Sequence, residues 1–232
     1  MAKGEPLLKD LRHEDTYQIV EPHVTMPEIA SKFAERPDDA ILVYDSKKDK
    51  FLFDIGAKYI GDSDYDMDYI QVGKELSSNL VASPFITYNP AIKSEAEKGS
   101  KILADIKVPY FSRTLEKYNG HLYAPNKLEK EKYPAVLHYK NTIFFAHNLD
   151  RIYAENGSKV HRQLFGNAIR YLHRNLIIQT KGLPSAGRIT LLHQENRNRF
   201  IIHLLYAPPL ERGRCLVIED LPEIHNVELT IN

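Results

Sequence analysis

The sequence has no tryptophan, one cysteine (Cys215) and no net charge, with 31 Lys and Arg against 31 Asp and Glu. Each shortage excludes something. A lone thiol can form neither an internal disulfide nor a Cys-x-x-Cys metal or redox site. Balanced charge argues against a nucleic-acid partner, because such proteins carry a basic excess. No apolar run approaches the roughly 18 residues that a membrane helix requires, so no membrane partner is expected. The absence of Trp removes the largest stacking surface and leaves 14 Tyr and 9 Phe as the aromatic complement. The opening MAKGEPLLKDLRHED lacks the apolar stretch of a secretory signal, and a cytoplasmic location is expected.

What is present suits a folded protein. The 232 residues are 43% hydrophobic and 27% charged, enough to bury a core in one large domain or two smaller ones. Residues 15–21 (DTYQIVE) read as a strand, and MPEIASKFAE places Ile29, Phe33 and Ala34 at helical spacing. After the Pro37-Asp38-Asp39 break, AILVYDS (40–46) reads as a second strand. This strand–helix–strand order is the unit of a parallel α/β sheet. KFLFDIGAKYIG continues as a strand and a glycine-marked turn, and a further turn is expected at Lys98-Gly99-Ser100. Lys127–Pro134 reads as an exposed loop, and AVLHYKNTIFFAHNL (135–149) as a hairpin turning at Lys140-Asn141.

A helix is expected over about 161–177. Leu164, Phe165, Ala168, Ile169, Leu172 and Leu176 form its apolar stripe, while Arg162, Asn167, Arg170 and Arg174 fall largely elsewhere. Ser158 is the candidate N-cap. KGLPSAG (181–187) links this helix to RITLLHQ, RFIIHLLYAP, RCLVIED and HNVELTIN, four strands expected to form a small antiparallel sheet.

Candidate chemistry is sparse. Asp62, Asp64, Asp66 and Asp68 alternate like the start of a calcium loop, but Met67 and Gly73 occupy the positions where that loop needs Gly and Glu. A solvated turn is the better reading, and no metal or cofactor is expected. His193 and His203 lie on neighbouring strands without the third ligand zinc needs, so His203 is read as a buried, hydrogen-bonded core residue. Cys215 starts a strand instead of a nucleophile elbow and reads as a core or rim residue. Glu219 and Asp220 are adjacent on a strand and point to opposite faces, so they cannot flank one glycosidic bond. Arg113, His121, His138 and His147 all sit beside aromatics, in PYFSRT, GHLYAP, VLHYK and FFAHNLD. Aromatic faces with polar edges suit a sugar contact, and an ordinary core with polar anchors is the competing reading. Tyr110, Phe111, Arg113, His121 and His147 are therefore the candidate carbohydrate or interface contacts.

FLFDIGAKYIG, VPYFSRT, GHLYAPNK, YPAVLHYKNTIFFAHNLDRIYAENGSKVHRQLFGNAIRYL and LPSAGRITLLHQENRNRFIIHLLYAPPLERGRCLVIEDLPEI together resemble the C-terminal part of bacterial glycoside hydrolase-like proteins. The resemblance covers about residues 50–232. It implies a domain similar to the β-galactosidase trimerisation domain, with a truncated flavodoxin-like sheet of the class I glutamine amidotransferase kind, followed by a small β-domain. The expected division is an α/β domain over 1–182 and an antiparallel β-domain over 183–232. In the family the catalytic acids lie in an N-terminal barrel. The resemblance thus implies a non-catalytic accessory or oligomerisation region, whose partner is a second copy of the chain or a glycoside hydrolase catalytic domain. A stand-alone carbohydrate-binding protein and an independent hydrolase are the alternatives.

Overall fold

The computed structural model describes residues 54–232, together with three short N-terminal strands, β1 (Gln18–Val20), β2 (Tyr44–Asp45) and β3 (Lys50–Phe51). The chain forms two compact units, Met1–Arg174 and Asn175–Asn232. Most of the strand–helix–strand segment read over 15–46, including its helix, lies outside the described residues.

The first unit is built around the hairpin of β9 (Pro134–Tyr139) and β10 (Thr142–Phe145), which turns at Lys140-Asn141 as its sequence indicates. Lys140 takes φ +52° to close the turn. All four residues of β10 are buried. Side chains alternate across a strand, so both faces of β10 must be covered. Phe145 stacks on Phe165, in the second of the two helices that follow, at 6.0 Å, whereas Phe144 meets Phe51 of β3 edge-on at 5.1 Å.

Outward from the hairpin lie β8 (Lys101–Lys107), β5 (Tyr69–Val72) and β6 (Phe85–Ile86), giving the six-strand order β1-β10-β9-β8-β5-β6. This corrects the expected flavodoxin-like parallel sheet. Only β1 and β10 pair in parallel among the described strands, and every other neighbour is antiparallel. The reason lies in the connections. Parallel neighbours need a crossover of about a dozen residues or more, usually helical. Here β9 and β10 are joined by two residues, and no α-helix occurs between residues 54 and 148. The described structure is mostly β, with two α-helices.

A separate ribbon of β4 (Ala57–Asp62) and β7 (Ile92–Ala96) packs against this core. Gly99, at φ +96°, carries the chain from β7 into β8, although these two strands do not pair with each other. Gly56 precedes β4 at φ +71°, and a Cβ there would collide with Ser100 and the Tyr139 ring.

Two helices follow β10. The first, α1 (Leu149–Asn156), falls where the hairpin reading ran on to residue 149. Asn148 caps it by accepting from Arg151 N at 3.1 Å, and Gly157 ends it at φ +62°. The second, α2 (Lys159–Leu172), stops five residues short of the expected end and leaves Leu176 outside. Leu164 and Ala168 are buried as the stripe requires, while Ile169 is exposed. Asn167, assigned by sequence to the outer face, is buried. Its Nδ2 donates to the carbonyls of Leu76 and Ser78, each at 2.7 Å. Neither helix is long and apolar enough to cross a membrane.

The second unit consists of three two-stranded antiparallel ribbons in place of one sheet. β11 (Ile178–Lys181) pairs with β16 (Glu228–Ile231), β12 (Gly187–Gln194) with β13 (Arg199–Tyr206), and β14 (Leu210–Arg212) with β15 (Cys215–Val217). No residue of this unit is buried. His203 is exposed on β13 and not the core histidine expected, because a two-stranded ribbon offers no interior to hold it. His193 stacks on Phe200 across the ribbon at 4.6 Å. Cys215 is exposed.

Replacing Asn167 with Ala removes both bonds to the 76–78 turn while leaving those carbonyls in place. A loss of about 1–3 kcal/mol is expected for such unsatisfied groups. Urea denaturation of the two proteins reads it as a lowered midpoint, and an unchanged midpoint refutes this role for the side chain.

Candidate functional site

The longest connection among the described residues of the first unit, between β8 and β9, is folded back on itself. Pro109 and Asn126 form an antiparallel bridge at its base. Tyr110 N donates to Pro125 O at 3.0 Å, and Lys127 N to Val108 O at 2.8 Å. Tyr69, on β5, anchors the returning limb by donating its hydroxyl to Ala124 O at 2.7 Å. A long segment closed at its ends in this way is a compact surface loop of the kind that often carries function.

This loop forms one wall of a cleft of about 340 Å³. Phe111, Arg113, Leu122 and Tyr123 line the loop side, and Asp66, Met67 and Tyr88 line the other. Tyr88 has φ +58°, a left-handed conformation unusual for a bulky side chain. Its predecessor Thr87 is fully buried and locked onto Asp68. Thr87 N donates to Asp68 O at 2.9 Å, and Asp68 N donates to Thr87 Oγ1 at 3.1 Å. The Tyr88 ring lies 6.0 Å from Tyr123 in a T-shaped arrangement.

Behind Tyr88 is a buried polar layer. Asp68 accepts from Ala91 N at 2.7 Å and from Ser63 Oγ at 3.2 Å, and His147 Nε2 lies 3.4 Å from its carboxylate. His147 and Asp68 are both fully buried, and His147 Nδ1 has no partner. His161 is buried beside Phe85 and Tyr88, with Nδ1 2.7 Å from Ser158 Oγ. Ser158 therefore spends its hydroxyl on His161 and does not cap α2 with its side chain. Burial, reinforced by the neighbouring His147, pushes the His161 pKa down to about 4. Burial also raises the Tyr133 phenol well above its ordinary range, with the charge of Asp68 adding to the effect.

The cleft joins two of the residues singled out from sequence, Phe111 and Arg113. Tyr110 and His121 sit on the same loop but are exposed and do not line the cleft. His147 lies in the buried layer, and His138 packs half-buried against Tyr171 at 5.1 Å, its pKa lowered chiefly by that burial. Sequence reasoning missed Tyr88, Tyr123, Asp66 and Met67. Tyr123 stood inside the aromatic stretch GHLYAP. The Asn89-Pro90 pair after Tyr88 was a turn signal that marked its special backbone. The four alternating aspartates disperse: Asp62 accepts from Tyr59, Asp64 pairs with Lys93, Asp66 reaches the cleft and Asp68 is buried. No three His, Cys, Asp or Glu side chains converge as a metal site among the described residues.

In chemical terms the cleft offers aromatic faces, one carboxylate and one guanidinium. Neither Asp66 nor Arg113 has a polar side-chain partner among the described residues. The arrangement suits binding through stacking and hydrogen bonds.

The fold is related to that of part of a solved glycoside hydrolase. Among solved structures it is similar to alpha-L-fucosidase isoenzyme 2 from Paenibacillus thiaminolyticus, with a TM-score of 0.79 and 23% identity. The match covers 93% of this chain and 34% of the fucosidase, so the chain spans about a third of that protein's length. No protein-family model matches the chain, and no curated protein matches it by sequence.

The buried His161 makes stability depend on pH. Its folded pKa of about 4 lies below the ordinary 6.5, so between these values the unfolded chain holds a proton that the folded chain does not. Stability is therefore complete above about pH 6.5 and falls as pH drops toward 4, by up to roughly 3 kcal/mol. Chemical denaturation of wild type and His161→Gln at pH 7, 5.5 and 4.5 checks this. The variant is expected to lose much of the decline, and parallel profiles would place its source elsewhere.

Proposed function

We propose that this chain is an accessory region of a glycoside hydrolase, acting in carbohydrate metabolism through association and not through turnover of its own. The observation that carries the reading is the surface of the second unit. No residue of 175–232 is fully buried, and Leu216, Leu205 and Phe200 are 75%, 66% and 60% exposed. Two-stranded ribbons are marginal by themselves, and apolar surface of this extent marks a place where another surface belongs.

The occupant favoured is the catalytic part of a glycoside hydrolase. The solved fucosidase supports this choice, since two-thirds of its chain lies beyond the part that matches. A second copy of this chain is the competing occupant. No catalytic residue is assigned.

Cross-linking in source cells, followed by blotting with an antibody to this chain, separates the possibilities. The expected product has about three times the mass of the chain, in keeping with the 34% share of the fucosidase, and contains glycoside hydrolase peptides by mass spectrometry. A product of exactly two chains would substitute self-association. Release of nitrophenol from aryl glycosides by the purified chain alone would overturn the accessory reading.

A further inference from the structure

We propose that the cleft between Tyr88 and the 109–126 loop is a binding site for a small neutral saccharide. The cleft lies wholly within the first unit, so this assignment stands apart from the accessory role.

The first support is Tyr88 itself. A tyrosine at φ +58° holds strain that Gly or Asn would largely avoid, and such strain persists where the surroundings over-determine it, often at ligand sites. Thr87 and Asp68 supply that over-determination through their reciprocal hydrogen bonds. The strained position delivers a tyrosine ring to the cleft, packed edge-to-face against Tyr123. The two residues are 40% and 39% exposed, so both remain open to an incoming ring.

The second support is the polar complement. Asp66 can accept from hydroxyls and Arg113 can donate to them, and neither has a polar side-chain partner among the described residues. Because both signs of charge line one cleft, an anion meets Asp66 and a cation meets Arg113, whereas a neutral polyol can use both. A planar apolar ligand would cover these groups without replacing their water, at a desolvation cost. The volume of about 340 Å³ lies at the low end for small-molecule sites and suits one or two sugar rings.

Saturation-transfer NMR on the whole chain tests the assignment, using a panel of neutral mono- and disaccharides with D-galacturonate and adenosine as the anionic and planar probes. Transfer from tyrosine protons to at least one neutral sugar is expected, with Kd on the order of a millimolar. Tyr123→Ala and Arg113→Gln should each weaken binding about tenfold or more. Tyr88→Gly is the decisive variant. Glycine adopts positive φ freely, so this variant should hold its unfolding temperature within a few degrees yet lose the sugar. No transfer to any neutral sugar, a preference for galacturonate or adenosine, or full affinity in a folded Tyr88→Gly protein would each overturn the proposal.

Discussion

A carboxylate sealed from water is tolerated only where other groups replace its hydration, and the first unit is organised around one. Asp68 has no exposure. Its side chain draws in the Ala91 amide, the Ser63 hydroxyl and the ring of His147, and its backbone exchanges hydrogen bonds with Thr87. These partners come from the approach to β5, from the turn leading into β7 and from the second residue after β10. One side chain thus ties together segments that are up to 79 residues apart in sequence. The backbone conformation of Tyr88, and with it one wall of the cleft, follows from that knot.

The remaining framework supports the same region from two sides. Phe144 and Phe145 point to opposite faces of β10 and meet Phe51 and Phe165 respectively. Helix α2 lies over one face, and three residues fasten it there. His161 packs on Phe85, Asn167 bonds the 76–78 turn, and Tyr171 meets His138. His161 belongs equally to the helix contact and to the layer behind Tyr88, so protonating it disturbs both at once.

What sequence revealed and what it hid follow from the range of the interactions. The hairpin at Lys140-Asn141 and the body of α2 were legible because local patterning determines them. Helix α1 was not, since its eight residues carry too short an apolar pattern and continue directly from a strand. Asn167 looked solvent-facing by residue type, yet it sits next to Ala168 on the inward stripe, where two carbonyls await a donor. The parallel sheet was inferred from residues 15–46, but the sheet order is settled by β5, β8 and β9, whose pairings are long-range. The resemblance correctly pointed to a glycoside hydrolase-related fold while naming the wrong kind of sheet. Phe111 and Arg113, which line the cleft, were singled out because they share a short segment with other aromatics. Tyr88 and Asp66 approach that segment only through tertiary folding.

The contrast between the two units has a consequence for how stability is distributed along the chain. Amide protons in β9 and β10 are shielded on both sheet faces, so their exchange with solvent requires opening much of the first unit. Those of β12 through β15 are held by ribbons in which no residue is fully buried, and opening such a ribbon exposes less new apolar surface than opening the core does. The chain therefore carries a steep gradient of local opening free energy, high near residue 144 and low beyond residue 187. Proteases that need an extended segment will find the C-terminal ribbons long before they reach the central hairpin.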